Sequence, residues 1–380
     1  MRIFPFHHPP AVAVALNFLV MSVLHGSWIA RLPDIQDRLH LSEGQIGFCL
    51  MGFAGGVTLG TPLVVPLMDR LGSGKTMFLA LAILCVMYVL PTLAPNLWVL
   101  GGLLFLVGVC DGAVNIAMNG TASTIERTAG IQFMSSCHGV FSVGLAIGAA
   151  TSGWISQRGV DFFDHLAVLA LVLFLLVLSF RKRLYALPHT PGEKQKLRRP
   201  PRALVGLAII LLCVNVADGA MIDWSAIYLR EVIGSNAFVA GLGLAVFSSG
   251  MALGRFGGDA VRARFSARQI LSTGALVNLL GMSIVLFGGH AVLVLVGFFL
   301  AGLGLSVAVP VVYSQSTQTE GIAPNVGLAA VATVSMVGFM GGPPVIGFIS
   351  EATSLHWGFA FVMVLTAISL VLIRRTTTPT

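Results

Sequence analysis

Apolar runs of about twenty residues recur from one end of this 380-residue chain to the other, and they constrain its fold more than any motif does. Twelve can be read, over about 11–31, 43–65, 76–94, 97–119, 133–154, 164–181, 203–228, 238–256, 269–288, 290–313, 326–349 and 355–373. Each is close to the ~20 residues a helix needs to cross a bilayer. Lipid offers the backbone no hydrogen bonds, and a helix satisfies its own. The expectation is an all-α polytopic membrane protein with twelve transmembrane helices. Composition agrees: 56% of residues are hydrophobic and only 10% charged, against about 25% charged in soluble domains. The segment before the first run is short and that run continues as a full span, so no cleaved leader is expected.

The charged residues lie between the runs, so the net charge of +7 is read as a topology signal and not as a nucleic-acid surface. With both termini and the Arg181–Arg202 stretch on one side, that side holds 18 of the 22 Lys and Arg residues. The positive-inside rule makes it cytoplasmic and predicts a multi-pass protein of the cell's inner membrane with both termini inside. The stretch RKRLYALPHTPGEKQKLRRPPR is basic and proline-bearing, and it reads as a linker between two halves. The expected organisation is a six-helix bundle over 1–181, a cytoplasmic linker over 182–201, and a second six-helix bundle over 202–380.

The halves look like copies. Asp69 in MDRLGSGK and Asp259 in GGDAVRARF lie 190 positions apart, and Trp28 and Trp224 occupy equivalent places late in spans one and seven. LVGVCDGAVNIAMNG (106–120) aligns with LAGLGLSVAVPVVYS (300–314) at a shift of 194. Glycines recur every fourth residue at Gly52, Gly56, Gly60, at Gly144, Gly148, at Gly250, Gly254, Gly258, and at Gly338, Gly342. Such spacing lets helix backbones approach closely. Two parallel six-span repeats about an axis along the membrane normal are the expected arrangement, with spans two and eleven, and five and eight, meeting across the halves. Pro343–Pro344 is expected to break or kink span eleven.

Polar residues inside the runs are the candidate site. Asp111, Asn115 and Asn119 share one helix face, and a central Asp costs about 2.5–3.5 kcal/mol on insertion scales. The stretch from Gly108 to Gly148 therefore reads as lining a solute path, with interhelical hydrogen bonding as the plain alternative. Asp111 falls near the midplane, where transporter sites lie. Proton-coupling candidates are Asp111, Asp218 and His138. Substrate-binding candidates are Asn17, His25, Trp28, Asn115, Asn119, Ser142, Asn215 and Trp224. The two tryptophans stand either in a cavity or in the interfacial aromatic belt. Glu126 and Arg127 read as a helix-end ion pair, and Asp223 as an outer-gate partner of Arg230 or Arg31.

The connection after span two, with Asp69, Arg70, Gly72 and Lys75, resembles the signature loop of the major facilitator superfamily. Pro66 or Leu67 stands where that signature has a leading glycine, and Ser73–Gly74 replaces one basic residue. The second copy keeps Arg255, Asp259 and Arg262. The resemblance implies that Asp69, Arg70, Lys75, Arg255, Asp259 and Arg262 belong to gating loops that brace one conformational state. The acid-then-Asn pattern at Asp111–Asn115, Met118–Asn119 and the MSSCHG run at 134–139 resemble the fucose permease branch, and with HGSWIARLPD (25–34) most closely its YbjJ-like inner-membrane group. In that branch acids in spans four and one serve proton coupling. Asp111 matches the first, whereas span one here carries only Asn17 and His25 as polar candidates.

The function these features imply is secondary active transport of a small polar organic solute, sugar-like as a first assignment, by alternating access with a proton as coupling ion. The alternative is proton-driven efflux of amphipathic compounds or drugs. No enzyme is expected: there is no metal-spaced cluster, nucleophile elbow or complete phosphate loop, and Gly74–Lys75–Thr76 lacks the required preceding glycine. No metal or other cofactor is expected, and Cys49, Cys85, Cys110, Cys137 and Cys213 read as free buried thiols. The expected partners are the solute, the proton and the lipid bilayer, without nucleic acid, for a monomer.

Overall fold

A computed structural model describes residues 8–131, 133–187 and 201–376. Among them there is helix and no strand. The helices are α1 (Pro9–Ile29), α2 (Leu32–Leu39), α3 (Glu43–Leu71), α4 (Ser73–Met87), α5 (Leu97–Ala129), α6 (Met134–Gln157), α7 (Phe162–Tyr185), α8 (Val205–Ile227), α9 (Ala237–Arg262), α10 (Ala267–Phe287), α11 (Ala291–Leu305), α12 (Ala308–Thr317), α13 (Pro324–Ala352) and α14 (Leu355–Thr376). Eleven helical stretches among the described residues are long and apolar enough to cross a membrane. The expected second span is the 29-residue α3. The chain separates into two compact units, Met1–Leu41 with Phe48–Lys194, and Ser42–Gly47 with Gln195–Thr380.

Helix ends follow capping chemistry and not the edges of the apolar runs. The Asn96 side chain accepts from Val99 N at 3.0 Å and opens α5; Ser266 and Gln269 form a capping box that opens α10. Helix α5 runs on past its apolar stretch to Gly130, whose φ of 65° suits a residue without Cβ. Glu126 is not half of an ion pair with Arg127. Its Oε1 accepts from the N–H groups of Phe133 and Met134 at 2.7 and 2.8 Å, satisfying the first donors of α6. Helix α7 continues to Tyr185, into the stretch expected as linker, and residues 188–200 of that stretch lie outside the described residues.

The signature connection after span two is barely a loop. Asp69 and Arg70 end α3, Lys75 lies in the first turn of α4, and Gly72 alone turns the chain at φ 82°. A side chain at position 74 would force α4 and α7 apart, because a Cβ there would sit 1.8 Å from the Leu184 carbonyl oxygen on α7. That contact accounts for the glycine standing where a basic residue was expected. In the second copy Arg255, Asp259 and Arg262 are also helical, on the last turns of α9.

The periodic glycines Gly56, Gly60, Gly144, Gly148, Gly250, Gly254 and Gly338 seat helices within each unit. Added Cβ atoms at Gly56 and Gly60 would lie 2.0 and 2.4 Å from carbonyls of α5, and at Gly108 and Gly112 2.1 and 2.5 Å from carbonyls of α3. The second unit repeats the seam between α9 and α11: Gly250 against Phe299 O at 2.3 Å, and Gly302 against Phe247 O at 2.1 Å. Gly26 and Gly148 seat α1 on α6, where Ser152 Oγ donates to Ser27 O at 2.7 Å; Gly338 seats α13 on α8. Helix α13 runs unbroken through Pro343 and Pro344. The break falls instead between α11 and α12 at Ser306–Val307. Pro310 follows, and in a continuous helix its ring would meet the carbonyl four residues back, that of Ser306.

Candidate transport site

Asp111 lies near the middle of the 33-residue α5, and it is 6% exposed. No other carboxylate sits between the end turns of the first unit's described transmembrane helices α1 and α3–α7. The hydrogen bond it accepts comes from the Tyr88 hydroxyl, 3.4 Å from Oδ1. Tyr88 is the C-cap residue of α4 and is 2% exposed. Its oxygen also meets His25 Nδ1 of α1 at 2.8 Å. The His25 ring packs on Phe53 of α3 with centroids 5.4 Å apart. Four helices therefore converge on one carboxyl, one phenol and one imidazole, and among the described residues no Lys or Arg pairs with the carboxyl.

The rest of the polar face divides differently from the expectation. Asn115 does not bond the Asp111 carboxyl: Asn119 Nδ2 donates to Asn115 Oδ1 at 3.0 Å and to its backbone oxygen at 2.9 Å. Both amides are half-buried. His138 is half-buried and meets Phe18 edge-on at 5.4 Å, while Ser142 is buried and donates to the His138 carbonyl at 3.1 Å. Asn17 is fully buried and donates to Ala13 O at 2.7 Å. Trp28 and Trp224 are 2% and 0% exposed, with indole N–H groups that find no acceptor among the described residues. Both are packed in the interior of their units.

The second unit holds a separate polar group. Asn215 Nδ2 of α8 donates to Ser335 O of α13 at 3.3 Å. Asp218 is half-buried with Oδ1 lacking a hydrogen-bond donor, and it lies within electrostatic range of Arg255 on α9 and of Asp223. Arg31, one expected gate partner of Asp223, is bound in its own unit. Its Nε pairs with Asp34, its Nη2 donates to Val160 O at 3.0 Å, and its guanidinium lies 4.9 Å over Phe162. Asp69, Arg70, Lys75 and Arg262 are exposed, and the Asp259 side chain lies outside the described set. The five cysteines are free; Cys110 is half-buried and the others are buried.

The residue that sequence reading missed is Tyr88. A phenol buried in an apolar span needs a hydrogen-bond partner for its hydroxyl, and that is the signal that was available.

An all-helical membrane chain built of two repeated bundles, with an isolated carboxyl midway along one span, defines a polytopic transporter scaffold. The family model described as Major Facilitator Superfamily matches residues 11–319, and the chain belongs to that superfamily. It is 27% identical to an uncharacterized MFS-type transporter of Yersinia pestis, covering 93% of this chain and 92% of that protein. It is also 27% identical to the uncharacterized transporter y4wD of Sinorhizobium fredii, over 96% and 97% of the two chains. Among solved structures it resembles a bacterial homolog of the human lysosomal transporter Spinster in an inward-facing, occupied conformation. The TM-score is 0.72 at 15% identity, covering 96% and 95% of the chains. The nucleoside transporter NupG gives a TM-score of 0.70 at 13% identity, covering 97% and 99%. The structural likenesses carry the fold; the membership makes the protein a secondary transporter and not an enzyme.

Proposed function

We propose that the protein is a proton-coupled transporter of the inner membrane that moves a small polar organic solute by alternating access, with both termini cytoplasmic. The observation that carries this reading is Asp111, a buried mid-helix carboxyl hydrogen-bonded by a phenol and paired with no cation among the described residues. Gaining or losing a proton there changes the charge of the bundle interior by one. A conformational equilibrium responds to such a change when its two states solvate the group differently. The Asn115–Asn119 amide pair lies one and two turns along the same face. It offers the donors and acceptors that a hydroxyl-rich, sugar-like solute requires.

The experiment begins with a panel of sugars and polyols screened by thermal shift on the purified protein, since a ligand of the native state raises its melting point. The solute found is then followed in proteoliposomes. Asp111→Asn holds the site in its neutral form, so exchange of solute across the membrane persists and accumulation driven by a pH gradient is lost. If Asp111 only bonds helices together, Asn lowers both activities mildly. Wild-type accumulation by Asp111→Asn with none by Asp218→Asn moves the proton site to α8. Outward pumping of amphipathic dyes, with no sugar or polyol bound, replaces the solute assignment with efflux.

A further inference from the structure

The first span lacks the second acid that a two-carboxylate coupling scheme needs, yet it is joined to Asp111. Tyr88 Oη stands between His25 Nδ1 at 2.8 Å and Asp111 Oδ1 at 3.4 Å, and a phenol oxygen has one proton to give and lone pairs to receive another. We propose that His25, Tyr88 and Asp111 form one proton-exchange unit, in which the Tyr88 hydroxyl passes a proton between the His25 imidazole and the Asp111 carboxyl.

The step balances without any further reagent. Beginning with an imidazolium and a carboxylate, the Nδ1–H bond breaks as an O–H bond forms on Tyr88. The original phenol proton moves to Asp111 Oδ1 at the same time. The products are a neutral imidazole, a carboxylic acid and a tyrosine that is a neutral phenol before and after. The 3.4 Å leg is the longer one, so it is the one that must shorten for transfer.

The surroundings leave the pair to itself. The other ionisable side chains on the helices packed around it are few away from the helix ends: Cys49 on α3, Cys85 on α4, Cys110 on α5, Cys137 and His138 on α6, and His165 near the start of α7. Cys110 adjoins Asp111 in the chain, and His138 meets Phe18 edge-on. Among the described residues there is no Lys or Arg between the end turns of α1 and α3–α6 to hold either partner in one charge state, and Arg181, just before the last turn of α7, is exposed and donates to Leu178 O at 3.0 Å.

The proposal rests on the transport reading for its use, but its test needs no solute. Infrared pH-difference spectra of the purified full-length protein report the acid carbonyl of Asp111, assigned by its loss in Asp111→Asn. They also report the His25 ring mode, assigned by its loss in His25→Gln. In the wild-type protein the two signals titrate together, because strongly interacting sites share their macroscopic steps. In Tyr88→Phe they separate by about one pH unit or more and the carbonyl frequency shifts. Unchanged midpoints and frequency in a folded Tyr88→Phe protein overturn the proposal. So does the absence of any carbonyl band lost in Asp111→Asn. If Tyr88→Phe does not fold, His25→Gln supplies the same reading, and an Asp111 band unmoved in it overturns the proposal. Loss of pH-driven accumulation bears on the transport reading alone; the spectral coupling stands or falls separately.

Discussion

Position 56 is where the packing argument is most exposed to test. A Cβ on Gly56 would lie 2.0 Å from Phe105 O and 2.9 Å from both Phe105 C and Val109 N. All three are backbone atoms of α5, so no rotamer change relieves them, and ordinary contact begins near 3.4 Å. Helices α3 and α5 must then part along a seam that also depends on Gly52, Gly60, Gly108 and Gly112. Overpacking of this kind costs about 1–3 kcal/mol, and a rigid backbone clash belongs at the upper end. Replacing a helical glycine by alanine returns about 1 kcal/mol through propensity. Gly56→Ala is therefore expected to lose about 2 kcal/mol net. Its neighbour Gly55 has nothing within 4 Å of the same Cβ. Gly55→Ala is expected to be neutral or to gain up to about 1 kcal/mol. Unfolding of both variants in SDS-containing mixed micelles, followed by tryptophan fluorescence, gives the order. A Gly56→Ala midpoint at or above that of Gly55→Ala refutes the α3–α5 seam.

Two further outcomes are expected. Gly74→Ala places a Cβ 1.8 Å from Leu184 O, so its unfolding midpoint should fall by at least as much as that of Gly56→Ala; an unchanged midpoint contradicts the α4–α7 contact. Glu126→Ala removes the acceptor for the Phe133 and Met134 N–H groups and is expected to cost about 1–2 kcal/mol, as the loss of an N-cap does. Glu126→Gln, which keeps an amide oxygen, should recover most of that in the same micelle assay.

The twelve apolar runs were legible because burial in lipid writes itself into composition. Their ends were less so, because hydropathy marks where water begins and not where a helix stops. Glu126, Arg127 and Arg262 continue helices beyond their apolar stretches. The place of the helix break was less legible for a related reason. A proline's effect depends on whether the preceding turn can yield: α13 absorbs Pro343 and Pro344, whereas α11 ends five residues before Pro310. The glycine spacing announced close helix approach without naming the partner. A four-residue period specifies a face, and the facing helix is decided by the whole bundle.

The same distinction separates the legible part of the site from the rest. Asp111 stood out because a carboxyl in an apolar run has a large cost to explain. Tyr88 and His25 lie 23 and 86 positions before it, and no local pattern links residues so far apart in sequence. Symmetric placement marked Trp28 and Trp224, and both are packed in the interior of the scaffold. The seams α3–α5 and α9–α11 repeat, as do α1–α6 and α8–α13. Chemistry does not repeat with them. At the shift of 194 that aligns the halves, Asp111 corresponds to Leu305, the last residue of α11 before its span breaks. One copy of the scaffold thus carries an unbroken helix with a buried acid where the other carries a break with none. A proton site built on such a scaffold belongs to one half, and its partners are to be sought on the helices that half brings together.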